Sequence, residues 1–419
     1  MITKSSFVLK SVMVNFLIVI MILTIICPTK IEAAGQKYVQ KVELGIENFP
    51  ENYKKIINDF IDQTGYTNWT FQAYYTGIDW NDFVKQQAKC GRSRVNKIFD
   101  KAYRCTCNNV AGGYYCANSA ITSYYMDPRN FINERNIFQF LNVSYNEQLY
   151  TKEIVHNLVN NYKVFNYGKP ITFKRADTNK EVTMTYTDII MEAAKITSMS
   201  PISMAIKIVQ EVGDSGSGST DGKNKKYPST YNFFNIGATD TGGSGDPIEN
   251  GLKYANSKKW NCPYTSIVGG AKFNSSDYIK AGQNTAYFYK FDCVGNKILN
   301  PKETQTITVS NLNHNYMTNI MDPYSQSAIL FDTYNNNKLA KESLNFIIPV
   351  YDNMPENPVE KISTLSNSKQ ELYYANVSLS LNINNAPNGN YIGSIYRDDL
   401  VIMLKRNYKP GWDKVQLWE

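Results

Sequence analysis

Residues 206–213 read IKIVQEVG, and this stretch decides how the middle of the 419-residue chain folds. It continues from Ser200-Pro201, where serine is a favoured helix N-cap and proline a favoured first helical residue. Apolar residues recur at helical spacing from Ile202 to Val209. Gly213 favours helix termination. The sequence therefore predicts a helix that places Glu211 on its last turn.

Glu211 lies between this apolar helix and residues 214–222, which are rich in glycine and serine. The end of a helix carries partial negative charge. This charge and the apolar neighbours disfavour the ionised carboxylate, so we expect its pKa to be raised. A carboxyl group that stays protonated near neutral pH can act as a general acid. A solvated helix-terminal glutamate without a function is the alternative.

Residues 1–34 are typical of an export signal. Lys4 and Lys10 form a basic start, residues 12–27 are almost entirely apolar, and Ala33-Ala34 offers a cleavage site. We predict a secreted or wall-associated protein. An uncleaved membrane anchor is the alternative, because the apolar run is only slightly shorter than a membrane span of ~20 residues.

The charge of the chain limits its partners. The formal net charge is +7, spread over the sequence. A mild, dispersed positive charge suits an anionic polymer but is too weak to indicate a nucleic-acid partner.

Six cysteines follow the predicted signal, and four of them lie close together in the sequence. They are Cys90, Cys105, Cys107, Cys116, Cys262 and Cys293. An even number in an exported protein permits disulfides, and free thiols or a metal site are the alternatives. The Cys105-x-Cys107 spacing lacks the two-residue gap of ordinary zinc knuckles.

Composition divides the rest of the chain into blocks, which predicts an α+β multidomain protein. Residues 37–165 form an accessory region that mixes helices and short strands, and residues 166–350 are mainly helical. Residues 351–371 contain prolines and a Ser/Asn-rich run, which indicates a linker. Residues 372–419 alternate apolar and polar positions and predict a small β-barrel.

Motifs of the middle block match a known enzyme family in their order and rough spacing. They are Gln210–Gly213, Tyr231–Ala238, Gly251–Ala255, Ile267–Phe273, Tyr278–Tyr287 and His314–Ile320. The block resembles the bacterial cell-wall N-acetylglucosaminidases of glycoside hydrolase family 73. This resemblance implies a lysozyme-like, mainly helical catalytic domain that cleaves the β-1,4 bond after N-acetylglucosamine in peptidoglycan.

The resemblance also implies roles for individual residues. Glu211 takes the position of the general acid, and Tyr316 that of a tyrosine near the acetamido group of the substrate. Residues of the loop after the helix are implied to bind substrate, namely Phe233, Phe234, Asn235 and Gly237. For the two phenylalanines a place in the core is the alternative.

A second catalytic group is less well defined by the sequence. Glycoside hydrolysis normally needs a second carboxylate ~5–10 Å from the acid, and the candidates are Asp240, Asp246 and Glu249. The alternative is attack by the N-acetyl oxygen of the substrate itself. Neither route needs a metal or organic cofactor, and we expect none.

The C-terminal block resembles bacterial Src-homology-3-like domains, which implies binding to cell-wall peptide or glycan. The matching pieces are Ala375-Asn376-Val377, Gly393-x-Ile395, Leu400–Leu404 and Gly411-Trp412. Domains of this family continue for two more short strands, so an incomplete domain is expected.

Together the resemblances predict an exported peptidoglycan hydrolase of the autolysin type. Two alternatives stay open at this point. One is a lytic transglycosylase on the same fold, and the other is a wall-binding protein without catalytic activity.

Overall fold

A computed structural model describes residues 37–96, 101–107, 110–111, 114–175, 177–239, 245–308, 312, 314–360, 372–374, 380–396 and 400–417. The predicted export signal, Asp240 and the motif at 375–377 lie outside these residues. A search of the described part of the chain finds no helix that is both long and apolar enough to cross a membrane.

The described chain combines helices with several small sheets, as expected for the α+β class. The helices are α1 (Glu51–Thr64), α2 (Trp80–Gln87), α3 (Ser119–Met126), α4 (Lys152–Val159), α5 (Tyr186–Thr197), α6 (Pro201–Val212), α7 (Pro247–Ser257), α8 (Pro263–Asn274), α9 (Ala286–Lys290) and α10 (Asp322–Asn336). The strands are β1 (Lys37–Leu44), β2 (Thr70–Asp79), β3 (Arg94–Asn96), β4 (Val110–Ala111), β5 (Tyr114–Cys116), β6 (Ile171–Lys174), β7 (Glu181–Met184), β8 (Thr304–Thr308), β9 (Asn345–Asp352), β10 (Leu372–Tyr374), β11 (Ser380–Asn384), β12 (Tyr391–Tyr396), β13 (Leu400–Lys409) and β14 (Trp412–Leu417).

A four-stranded sheet joins the beginning and the end of the main body. Its order is β8-β1-β2-β9, with β1 antiparallel to both of its neighbours and β2 parallel to β9. Strand β9 reads NFIIPVYD and is almost entirely buried, as expected for a parallel strand that is covered on its faces.

The predicted division at residues 165/166 does not coincide with a break in the packing. One continuous hydrophobic core extends from Tyr38 to Tyr351. The reason is the sheet, which pairs strands of the predicted accessory region with strands of the predicted catalytic region. Residues 37–352 therefore fold around one core.

Helix α6 follows the sequence pattern closely. The Ser200 side chain accepts a hydrogen bond from the Ser203 amide at 3.3 Å, and Pro201 is the first helical residue. Gly213 ends the helix with φ of 79°, a backbone conformation that glycine adopts without steric cost. The predicted position of Glu211 on the last turn is confirmed.

The first part of the predicted linker is packed against the core. Asp127 and Arg129 form an ion pair in which both side chains are fully buried. The Arg129 guanidinium donates to the carbonyl oxygens of Pro355 at 2.8 Å and Asn357 at 3.1 Å, and the Val359 amide donates to Asp127 at 2.9 Å. This pair holds residues 355–359 in place.

The described C-terminal residues form two small antiparallel sheets. One has the order β10-β13-β14 and the other pairs β11 with β12. A small cluster of Ile395 and Val401, with Ile383 and Val415 packed against them, forms their apolar contact. This part of the chain is composed of strands, as the alternating pattern predicts.

Candidate active site

Glu211 and Tyr316 are far apart in the sequence and adjacent in the structure. The Tyr316 hydroxyl donates to Glu211 Oε1 at 3.4 Å, and both side chains are half-buried. The Tyr316 amide donates to the Tyr289 carbonyl at 2.8 Å. Residue 316 is thereby fixed against α9, and its ring faces the last turn of α6.

A cation lies one helical turn before Glu211. Lys207 Nζ is 3.9 Å from the centre of the Tyr316 ring and 6.0 Å from that of Tyr289. Burial lowers the pKa of Lys207, while the charges of Glu211 and Asp322 oppose this shift. Lysine and glutamate at i and i+4 share one helix face, so α6 presents both charges to the same space.

Asp322 is a site residue that the sequence analysis missed. It begins α10, and it lines a pocket of about 60 Å³ together with Lys207, Gln210 and Tyr316. Burial raises the pKa of the Asp322 carboxyl to about 7, opposed by the charges of Lys207 and Lys290. The sequence did contain a signal that could have pointed to Asp322. Asp322 follows Tyr316 by six residues, and the proline after it is typical of the start of a helix.

Tyr278 completes an aromatic group around Tyr316. Its ring centre is 5.3 Å from that of Tyr316 and 4.4 Å from that of His314, on which it stacks. Tyr278 lies in a short π-helical segment, Ser275–Ile279, and such segments are frequent at functional sites. His314 Nδ1 is within 2.8 Å of Gln283 Oε1, which fixes the orientation of the ring.

Phe233 and Phe234, which the resemblance implied as substrate contacts, lie in the hydrophobic core. Phe233 is completely buried, Phe234 is 3% exposed, and both belong to the hydrophobic core. A Cβ atom at Gly270 would lie 2.2 Å from the Phe234 ring, so the helix α8 packs directly on that ring. These rings are not accessible to a saccharide, and they anchor the loop to the hydrophobic core.

Asn235 and Gly237 shape the loop beside Glu211. The Asn235 side-chain amide donates to the Glu211 carbonyl oxygen, and its Oδ1 accepts from the Ser219 hydroxyl at 3.1 Å. Gly237 has φ of +77°, and a Cβ there would lie 2.9 Å from Tyr254 Cβ. Asn235 therefore ties the loop to the last turn of α6, and a residue larger than glycine at 237 would disturb it.

The sequence candidates for a second carboxylate have other roles or lie outside the described residues. Asp246 accepts a hydrogen bond from the Ile248 amide at 3.0 Å as the N-cap of α7. Glu249 forms an ion pair with Lys226. Asp240 is one of the residues that the structure does not describe. The carboxyl group that acts on Lys207 and Tyr316 together with Glu211 is Asp322.

Lys290 is a buried lysine whose charge acts on Asp322. Because of its burial, we predict that the stability of the protein depends on pH. Its side chain is fully buried and donates to the Ser93 hydroxyl at 3.1 Å. Burial, assisted by the charge of Arg92, lowers the pKa of Lys290 to about 7. Between pH 7 and 9 the unfolded chain keeps a proton that the folded chain has released, so the free energy of unfolding rises with pH, by roughly 2 kcal/mol. Lys290→Met is expected to remove this rise.

Urea unfolding of the wild type and Lys290→Met at pH 7, 8 and 9 measures the effect. Lys253→Met, at an exposed position of α7, is the matched control and should keep the wild-type slope. An identical slope in Lys290→Met would show that Lys290 is not the titrating group.

The chain has bacterial homologues that are named beta-N-acetylglucosaminidase and bifunctional autolysin, which confirms the resemblance predicted from the motifs of the middle block. The chain is 30% identical to the beta-N-acetylglucosaminidase of Bacillus subtilis over 240 residues, which are 57% of this chain and 23% of that protein. It is 47% identical to the bifunctional autolysin of Staphylococcus aureus over 64 residues, which are 15% of this chain and 5% of that protein. The chain therefore spans less than a quarter of these relatives.

Among solved structures, S. aureus glucosaminidase B matches with a TM-score of 0.45 and 24% identity, over 66% of this chain and 91% of that one. No protein-family model matches the chain.

Proposed function

We propose that this protein is an exported peptidoglycan hydrolase that cleaves the β-1,4 glycosidic bond after N-acetylglucosamine, with Glu211 as the general acid. The observation that carries the proposal is the contact of Glu211 with Tyr316 at the end of α6, beside a small pocket. The homology to glucosaminidases supports the same reaction. The helices around Glu211 form a lysozyme-like catalytic region in this proposal.

In the proposed reaction, Glu211 donates its proton to the oxygen of the leaving sugar. Tyr316 orients the Glu211 carboxyl through its hydroxyl group. We assign the binding of the acetamido group to the pocket beside Tyr316, which Lys207, Gln210 and Asp322 also line. An acetamido group held there is placed to assist the departure of the leaving group, as in other acetamido-sugar hydrolases.

Asp322 is the carboxyl group that interacts with the lysines around Glu211. Burial raises the pKa of Asp322 to about 7, and the positive charges of Lys207 and Lys290 oppose this shift. We assign Asp322 the role of balancing Lys207, which keeps the positive charge next to Glu211 in place.

Export and wall attachment belong to the same proposal. Residues 1–34 carry the signal pattern, and the sequence motifs of residues 372–419 resemble those of Src-homology-3-like domains. The described residues of this unit form strands. We assign this unit the binding of cell-wall peptide or glycan, which would keep the catalytic region near its polymer.

The chemical class of the reaction can be tested with purified, insoluble peptidoglycan. A glycosidase creates new sugar ends and leaves the peptide bonds intact. We expect soluble fragments and new reducing ends to increase together, while free amino groups stay constant. An increase in free amino groups without new reducing ends would mean that the enzyme cuts the peptides, and the proposal would fail.

Tyr316→Phe tests the orienting role of the hydroxyl. The variant keeps the ring and removes the donor that contacts Glu211 at 3.4 Å. The net contribution of one such hydrogen bond is ~0.5–1.5 kcal/mol, so we expect kcat/KM on peptidoglycan to fall roughly threefold to tenfold. Tyr167→Phe, at a residue that is 48% exposed, is the control. Unchanged kcat/KM in Tyr316→Phe would contradict the assigned role.

A further inference from the structure

The four cysteines of the accessory region converge in space, and we refer to Cys90, Cys105, Cys107 and Cys116 as the four-cysteine cluster. All four sulfurs lie within 4.8 Å of one another. In the structure Cys90 and Cys107 form a disulfide, while Cys105 and Cys116 are thiols. Cys105 Sγ also lies 2.8 Å from Cys107 Sγ. The glucosaminidase proposal gives this cluster no function.

We propose a binding site for a thiophilic divalent cation such as Zn²⁺, formed by the four thiolates of the cluster. An ion bound at about 2.3 Å to four sulfurs in a tetrahedron holds the sulfurs about 3.8 Å apart. The observed separations are within reach of this geometry. A pair of independent disulfides needs each sulfur to be near its own partner only, whereas here each sulfur lies within 4.8 Å of all three others.

Backbone amides point at two of the sulfurs. The Gly91 amide donates to Cys116 Sγ at 3.4 Å, and the Cys107 amide donates to Cys105 Sγ at 3.4 Å. Hydrogen bonds from outside the ligand set orient metal ligands and stabilise their charged form. One donor reaches Cys116 in β5 and the other reaches Cys105 in the loop before β4, so backbone amides contact two of the four sulfurs.

The charge around the cluster is suitable for thiolates. Arg94 in β3 is paired directly with Cys116 in β5, which brings a positive charge to this side of the cluster. Arg104 is the residue before Cys105, and its guanidinium lies 3.8 Å from the centre of the ring of Tyr115, the residue before Cys116. The positive charges of these two arginines would offset the net negative charge of four thiolates around one divalent ion.

The cluster is connected to the proposed active site through a short path. The Arg94 amide donates to the Thr318 carbonyl at 2.8 Å, and the Ile320 amide donates to the Arg94 carbonyl at 3.0 Å. Thr318 is two residues from Tyr316. An ion that fixes residues 90–116 therefore also fixes the segment that carries Tyr316 and leads to Asp322.

The metal-bound form requires the disulfide to be reduced. A dithiol breaks the Cys90–Cys107 bond by supplying two electrons and two protons, which gives two thiols and the oxidised dithiol. Binding of the ion then displaces the thiol protons to solvent. Oxidation of the same cysteines to disulfides is the competing outcome in an exported protein.

Metal analysis of the full-length chain tests the proposal. The chain is purified with dithiothreitol and without oxygen, exposed to Zn²⁺ and freed of excess ion on a desalting column. We expect one tightly held Zn²⁺ per chain. Replacement by Co²⁺ should give the intense thiolate-to-cobalt absorption of a tetrahedral thiolate site. Absence of bound Zn²⁺, or a Co²⁺ spectrum without thiolate bands, would overturn the proposal, and both readouts are independent of hydrolase activity.

Cysteine variants identify the ligands. Cys105→Ser and Cys116→Ser should lose the bound ion, and Cys262→Ser should keep it. Cys262 is buried elsewhere as the N-cap of α8, a position that serine also favours. Retention of one Zn²⁺ by Cys105→Ser and Cys116→Ser would contradict the assignment. Because the wild-type cobalt spectrum reports the ligands directly, the test stands even if a variant folds poorly.

Discussion

Glu211→Gln is expected to lower the turnover of peptidoglycan ~10²–10⁴-fold, which is the range that general acid catalysis supplies. The amide has nearly the shape of the carboxyl group and can still accept the Tyr316 hydrogen bond. It cannot donate a proton to the leaving oxygen. The KM should change little, because the loss affects the transition state rather than the binding of the glycan.

Glu153→Gln is the matched control for this experiment. Glu153 is an exposed glutamate in the first turn of α4, and its change should leave turnover at the wild-type level. Thermal unfolding of both variants separates a catalytic loss from a folding defect. Wild-type turnover by Glu211→Gln would exclude Glu211 as the proton donor.

Asp127→Asn is expected to cost the chain ~3–5 kcal/mol of stability, because it leaves the Arg129 charge buried without its partner. Both side chains are completely buried. Arg129 Nε donates to Asp127 Oδ1 at 2.9 Å, and the terminal nitrogen donates to Oδ2 at 2.7 Å. The same carboxylate accepts the Val359 amide, so the segment 355–359 should loosen as well.

The chain contains a matched control in Asp177, which pairs with Arg175 at the same two-residue spacing. A terminal nitrogen of Arg175 lies 2.7 Å from Asp177 Oδ2, but the Asp177 side chain is 43% exposed. Exposed ion pairs contribute ~0–1 kcal/mol, so Asp177→Asn should have little effect on the free energy of unfolding in urea. Equal decreases in the free energy of unfolding in the two variants would mean that burial does not determine how much these ion pairs contribute to stability.

The local signals of the sequence predicted α6 well because they do not depend on distant contacts. Ser200, Pro201 and Gly213 act on the backbone next to them, and they produced the predicted boundaries. The continuity of the core across residues 165/166 could not be predicted in this way. It depends on the pairing of β1 with β8 and β2 with β9, and composition carries no information about which distant strands meet.

The candidate site was also predictable only where its residues could be recognised from local motifs. Glu211 and Tyr316 stood out by chemistry and motif, and the fold brings them together. The core position of Phe233 and Phe234 could not be predicted, because an aromatic residue in a loop motif has the same sequence signature whether it faces core or solvent. Asp322 was missed because its role depends on Lys207 and Lys290, which approach it only in the folded chain.

The identity of the sugar at the new reducing end tests the central claim most directly. Purified peptidoglycan is digested with the wild type and with Glu211→Gln, the products are reduced with borohydride, and their ends are identified by mass spectrometry. The account predicts reduced N-acetylglucosamine ends in the wild-type digest and, over the same time, almost none with Glu211→Gln. Anhydro-muramic ends from the wild type, or equal amounts of N-acetylglucosamine ends from both proteins, would contradict it.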